Sequence, residues 1–143
     1  MAGSVYEFGS IAVAEDEVMD FGRRYDPQPF HTDPEQASET IHGGLIASGW
    51  HTGSLAMRML VDHFVSKVAS IGSPGIDEVR WFKPVRPGDE LCIRITILDT
   101  RRSKSRPDRG LVNAFIEVMN QHREVVMSWK GLGFYLCREI RSK

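Results

Sequence analysis

The apolar residues of this chain change their spacing once, and that change limits the folds open to it. Up to residue 64 they recur at intervals of three and four: Ala14, Val18 and Phe21 first, then the adjoining rows Leu55, Met59 and Ala56, Leu60, Phe64. Such spacing puts apolar side chains on one face of an α-helix. After Gly72-Ser73-Pro74-Gly75 the interval drops to two. Val79 and Trp81, then Leu91, Ile93, Ile95 and Ile97, alternate with polar neighbours as half-buried strands do. The pattern predicts an α+β domain in which one face of an antiparallel sheet lies on a long helix.

Local signals place the elements. A first helix is expected from about Ala14 to Arg24, with Glu15, Asp16 and Glu17 at the positive end of its dipole. Pro27 and Pro29 remove backbone donors and bias their predecessors away from helical angles, so Asp26 to His31 is expected as an extended loop. A short turn should follow, capped by Asp33 with Pro34 at its first position. The longest helix is expected from near Ser48, with Arg58 and Asp62 as an ion pair outside its apolar stripe. Pro84, Pro87 and Gly88 separate the first two strands, and runs from Leu111 to Met119 and Glu124 to Leu136 complete an expected antiparallel meander. Trp81, Trp129, Phe82, Phe115 and Phe134 fall in those strands and are expected in the core.

No stretch reads as a linker or repeat, so residues 1–143 are expected as one domain, and 41% hydrophobic content suffices for a core without staples. Lys and Arg total 18 against 19 Asp and Glu, a net charge of −1 that draws the chain to neither nucleic acid nor lipid. Cys92 and Cys137 sit far apart in strand-like runs, without a Cys-x-x-Cys spacing, and are expected as reduced, buried thiols. No basic-then-apolar leader pattern precedes Glu7, and no apolar run approaches the roughly 18 residues of a membrane span, so the expected address is the cytoplasm. His31, Asp33, His42 and His51 match no common zinc spacing, and no metal is expected.

Two segments carry chemistry. Asp26-Pro27-Gln28-Pro29-Phe30-His31 sets a carboxylate and an imidazole five residues apart on a stiffened loop, a pair able to hold one water and share proton transfer. The alternative is that Asp26 ends a helix and His31 packs in a loop. His42-Gly43-Gly44-Leu45-Ile46-Ala47-Ser48-Gly49-Trp50-His51 leads into the long helix, so free N–H groups near Gly49 should offer positive partial charge to a developing oxyanion. A glycine amide also allows close approach. Here the alternative is that Gly43 and Gly44 turn the chain while Ser48 caps the helix. Arg101, Arg102, Lys104, Arg106 and Arg109 crowd the turn between the second and third expected strands. They read either as a site for coenzyme or carrier-arm phosphates or as a solvated hairpin tip.

From about Tyr6 to Arg138 the chain resembles the MaoC-type dehydratases, which include the R-specific enoyl-CoA hydratases. The resemblance rests on Asp26-Pro-Gln-Pro-Phe-His31-Thr-Asp33, on Gly43-Gly44-Leu-Ile-Ala-Ser-Gly49-Trp-His-Thr52, and on Arg80-Trp-Phe-Lys-Pro-Val-Arg-Pro-Gly-Asp-Glu-Leu91 with the later Arg101 to Gly110. It implies a hot dog fold, an antiparallel sheet wrapped round the long helix. It also implies dimers whose sites lie between subunits and receive a pantetheine arm. Asp26 and His31 correspond to the catalytic dyad and Gly49 to the amide that meets the thioester oxygen. Gln28 stands where Asn is usual, Ser48 for His and Trp50 for Met; these three, with Arg101, Lys104 and Arg106, are the expected substrate contacts. The implied activity is reversible hydration of a 2-enoyl thioester, with coenzyme A as part of the substrate and no separate cofactor. Thioester hydrolysis on the same fold, or thioester binding without turnover, are the alternatives.

Overall fold

The computed structural model describes residues 2–65, 70–105 and 108–136. In chain order its elements are β1 (Val5–Ala12), α1 (Glu15–Tyr25), α2 (Pro29–Thr32), α3 (Pro34–Ser38), α4 (Gly49–His63), β2 (Ser70–Trp81), β3 (Glu90–Arg102), β4 (Arg109–Met119) and β5 (Val125–Leu136). The strands form one sheet in the order β1-β3-β4-β5-β2, every neighbouring pair antiparallel.

One face of this sheet closes on α4. Ala56, Met59 and Leu60 of the helix share a core with Leu91, Ile93, Ile95 and Ile97 of β3, Ala114, Ile116 and Val118 of β4, and Val126, Met127 and Trp129 of β5. The period-two alternation in β3 and β4 selects this face, since a strand sends every second side chain to the same side. Leu91 and Ile93 are wholly buried, and each contributes on the order of 2 kcal/mol by leaving water. The sheet wrapped round α4 is the hot dog arrangement. Asp33 caps α3 as expected, accepting from the N–H groups of Glu35 and Gln36, and Arg58 pairs with Asp62 at 3.0 Å.

Several expectations need correction. β1 was not anticipated: its register slips between Phe8 and Ile11, and this bulge breaks the alternation that marks a strand. β2 starts at Ser70, so Gly72-Ser73-Pro74-Gly75 lies within it and not before it. The strand is at the sheet's edge, where Pro74 forfeits no interior bond, and Gly72 at φ +112° takes up one of its irregularities. Only β3, β4 and β5 form a meander; β2 lies at the opposite edge from β1, beside β5. The connection 82–89 therefore crosses the start of α4, where the Ala47 N–H donates to the Val85 carbonyl at 2.7 Å.

The loop from Asp26 to His31 is extended only as far as Gln28. Pro29 opens the helical turn α2, where a missing N–H costs nothing, and Gln28 before it is extended at φ −108°, ψ 146°. Of the five aromatics expected in the core, Trp129 is there at 4% exposure, Phe115 and Phe134 are half-buried, and Trp81 and Phe82 are 44% and 54% exposed. Cys92 is a free, partly buried thiol that burial makes harder to ionise, while Cys137 lies outside the described residues. No helix among those described is long and apolar enough to cross a membrane.

Candidate active site

Asp26 ends α1, its N–H donating to the Gly22 carbonyl at 2.8 Å. Gly22 decides how near α2 can come: a Cβ there would lie 2.8 Å from the His31 carbonyl oxygen and 2.9 Å from the His31 Cβ. With only hydrogen at that position, α1 and α2 pack closely enough to bring the two candidate side chains together. His31 Nε2 stands 3.2 Å from Asp26 Oδ2.

The proton on His31 is located by its other nitrogen. Nδ1 lies 2.8 Å from the Ile46 carbonyl oxygen, which can only accept, so Nδ1 carries hydrogen and Nε2 is the exchangeable position. The Ile46 N–H donates in turn to the Phe30 carbonyl at 2.9 Å, which ties this segment to α2. His31 is 5% exposed and meets the Phe30 ring edge-on at 4.5 Å.

Asp26 is held by further donors. Gln28 Nε2 donates to Oδ1 at 2.6 Å, and Ser48 Oγ to Oδ2 at 2.8 Å. Burial pushes this carboxyl up, but the Gln28 and Ser48 hydrogen bonds and the His31 ring outweigh it, so it is held below the usual carboxylate range. Ser48, fully buried just before α4, makes no side-chain cap. Its hydroxyl is committed to the carboxylate instead.

Asp26 and His31 open onto a cavity of about 380 Å³ whose wall also includes Gly49, Trp50, Ile46, His42 and the 81–85 segment. Gly49 is the first residue of α4, so its N–H and that of Trp50 belong to the first turn, where helix geometry supplies no acceptor. A site with an acid/base pair on one wall and helix-terminal amides on another suits addition of water next to a carbonyl that gathers negative charge.

Of the residues singled out from sequence, Asp26, His31, Gly49 and Trp50 meet at this cavity. Gln28 and Ser48 sit behind it on the Asp26 carboxylate. Arg101 and Lys104 lie on the β3–β4 hairpin and do not line the dyad's cavity; Arg101 borders a separate one with Arg102, Leu111 and Tyr135. Arg106 lies outside the described residues. Trp81, Phe82 and Lys83, at the end of β2, line the site without having been anticipated. No group of three or more metal-ligating side chains occurs among the described residues.

His51 faces the other way. It is 5% exposed and stacks on Phe21 at 5.0 Å, and its buried Nδ1 has no hydrogen-bond partner among the described residues. Burial lowers its basicity, opposed in part by Glu17.

Known proteins share this fold. Residues 1–117 match the family model described as MaoC like domain. The uncharacterized protein YdeM of Bacillus subtilis (strain 168) is 29% identical over 119 residues, which is 83% of either chain. The crystal structure of a MaoC-like dehydratase from Rhodospirillum rubrum superposes with a TM-score of 0.88 at 37% identity, covering 96% of this chain and 94% of that one. R-Hydratase PhaJ1 from Pseudomonas aeruginosa shares the fold with a TM-score of 0.75 at 23% identity, covering 95% and 82% of the two chains. Sequence and fold agree across most of the molecule, and the chain belongs to the MaoC-like domain family.

Proposed function

We propose that this chain catalyses the reversible hydration of a 2-enoyl thioester. The observation that carries the reading is the fixed proton of His31: with Nδ1 committed to the Ile46 carbonyl, Nε2 faces Asp26 Oδ2 at 3.2 Å in the cavity that also reaches Gly49.

In the forward direction a water between the two side chains gives a proton to the Asp26 carboxylate as its oxygen bonds to the β-carbon of the substrate. The electron pair of the double bond moves toward the thioester carbonyl, whose oxygen becomes an enolate and is met by the Gly49 N–H. The proton taken up by Asp26 passes to the lone pair of His31 Nε2, 3.2 Å away, and from Nε2 to the α-carbon as the carbonyl re-forms, which returns both side chains to their starting states. Dehydration runs the same steps backwards with the roles exchanged. Keeping Asp26 ionised suits its role as base, and its Gln28 and Ser48 donors do this.

The thioester is that of coenzyme A or a related carrier, entering as substrate and not as a resident cofactor. The reading includes phosphate contacts from Arg101, Lys104 and Arg106. Since Arg101 and Lys104 do not line the dyad's cavity, those contacts require the hairpin of a second protomer, and we take the working form to be a homodimer. A monomer by light scattering that still hydrates the coenzyme A substrate would remove the hairpin from the phosphate site.

The activity is tested by adding short and medium trans-2-enoyl-CoA thioesters and following the conjugated double bond and free thiol together. Loss of the bond without thiol release supports hydration. Thiol release moves the reading to hydrolysis, and binding with silence in both channels leaves a thioester-binding subunit.

A further inference from the structure

Trp81 ends β2, yet its indole turns toward the helix. Its Cα is in register with Met127 of β5, and the next N–H, that of Phe82, donates to the Val126 carbonyl at 2.8 Å, so the residue is anchored to the sheet. From this anchor the indole Nε1–H donates to the Gly49 carbonyl at 3.0 Å. The ring also lies flush on Gly49: a Cβ there would stand 2.6 Å from both Cε2 and Nε1. On its other side the Trp50 ring meets it edge-on at 5.2 Å.

A half-exposed indole at a cavity wall can give its N–H to water at no cost, so its commitment to a main-chain carbonyl has a structural consequence. The Gly49 carbonyl and the Trp50 N–H belong to one planar peptide unit. A donor on the oxygen fixes the tilt of that unit and polarises its N–H. The same bond ties the first residue of α4 to the sheet, and the preceding peptide, which carries the Gly49 N–H, is joined to it through the Gly49 Cα.

We propose that Trp81 is a positioning residue: its indole N–H holds the first peptide of α4 so that the amides at the helix start face the thioester oxygen. This rests on the hydratase reading above for its substrate. It also gives Gly49 a second reason to be glycine, because the indole occupies the space a side chain would need.

The test removes the donor while keeping the bulk. Trp81→Phe, and replacement of Trp81 by 3-benzothienylalanine, which has sulfur in place of the N–H, are compared with the native full-length chain. One readout is kcat and KM on crotonyl-CoA. The other is the infrared carbonyl stretch of bound butyryl-CoA labelled with carbon-13 at the carbonyl, a saturated ligand that cannot be hydrated. The expected result is a kcat about tenfold lower, less than the hundredfold or more for deleting an oxyanion donor outright, with KM within about twofold. The bound carbonyl stretch should move back toward its value in free ligand.

A folded benzothienyl variant with native kcat and a native stretch overturns the inference. So does a loss confined to KM with the stretch unmoved, which marks Trp81 as packing only. A native protein that leaves the stretch at its free value overturns it whatever the rate. A native protein that shifts the stretch through Trp81 but hydrates no enoyl thioester upholds the inference and sinks the hydratase reading.

Discussion

Asp26→Asn separates chemistry from architecture at this site. The amide oxygen can take the place of Oδ1 and keep the Gln28 donor at 2.6 Å. The amide nitrogen then replaces Oδ2, with one hydrogen directed at Ser48 Oγ and the other at His31 Nε2, which has a lone pair once Nδ1 holds the ring's proton. Gln28 and His31 keep their partners, while the buried Ser48 Oγ changes from donor to acceptor and its own hydrogen loses the carboxylate oxygen. The stability lost is the difference between charge-assisted and neutral hydrogen bonds, about 1 kcal/mol, softened because the Asp26 side chain is 24% exposed. For a chain of 143 residues this lowers Tm by about 3 °C. Catalysis should fall far more, since a missing general base costs about a hundredfold or more, roughly 2.7 kcal/mol of barrier. Initial rates of double-bond loss from crotonyl-CoA, measured beside a thermal melt, give both numbers. A folded variant keeping more than about a tenth of the native rate would refute the assignment of Asp26 as base.

Three further substitutions probe neighbouring parts. Ser48→Ala removes a donor that keeps the Asp26 carboxyl below its usual range, so the low-pH edge of kcat/KM should move to higher pH; an unmoved edge at full rate would count against the network. Gly49→Ala gains up to about 1 kcal/mol in helix propensity but drives a Cβ to 2.6 Å from the Trp81 indole, an overpacking cost of about 1–3 kcal/mol. Tm should fall by a few degrees and the rate at least tenfold, and a variant as stable and active as the native chain contradicts both the packing and the amide role. His51 is harder to protonate in the folded chain than in the unfolded one, so its stabilisation is complete above about pH 6.5 and shrinks as pH falls from there toward the lower folded value. His51→Phe, which preserves the stack on Phe21, should flatten the decline of Tm between about pH 7 and 5, and an unchanged slope excludes His51 as its source.

What could be read from sequence is what one-sided burial and local capping dictate. α1, α4 and the β3–β4–β5 meander follow from apolar spacing, and α3 from Asp33 and Pro34. β1 escaped because its bulge interrupts the alternation, and a Cβ on Gly9 in that bulge would meet Met59 Sδ at 2.8 Å, a constraint set by α4 far along the chain. The place of β2 at the far edge depends on pairing with β5, which no local spacing encodes. The site divides the same way. Asp26, His31 and Gly49 stand in short segments whose residue types suit the chemistry. Trp81, Phe82 and Lys83 reach the cavity only because the β2–β3 connection crosses the start of α4. Gly22 reads locally as an ordinary helical glycine, and its need appears only when α2 packs on it. Ser48, expected as a cap or a substrate contact, is bonded to a carboxylate 22 residues earlier.

The acceptor that places the His31 proton is the main-chain oxygen of Ile46, and the same residue is part of the cavity lining. A single residue thus bears two duties that mutation can separate. Exchanging Ile46 for Val or Leu reshapes the wall that the substrate meets, but no exchange of side chain deletes the carbonyl. The range of acyl groups admitted can therefore drift over evolutionary time while the tautomer stays fixed by the backbone.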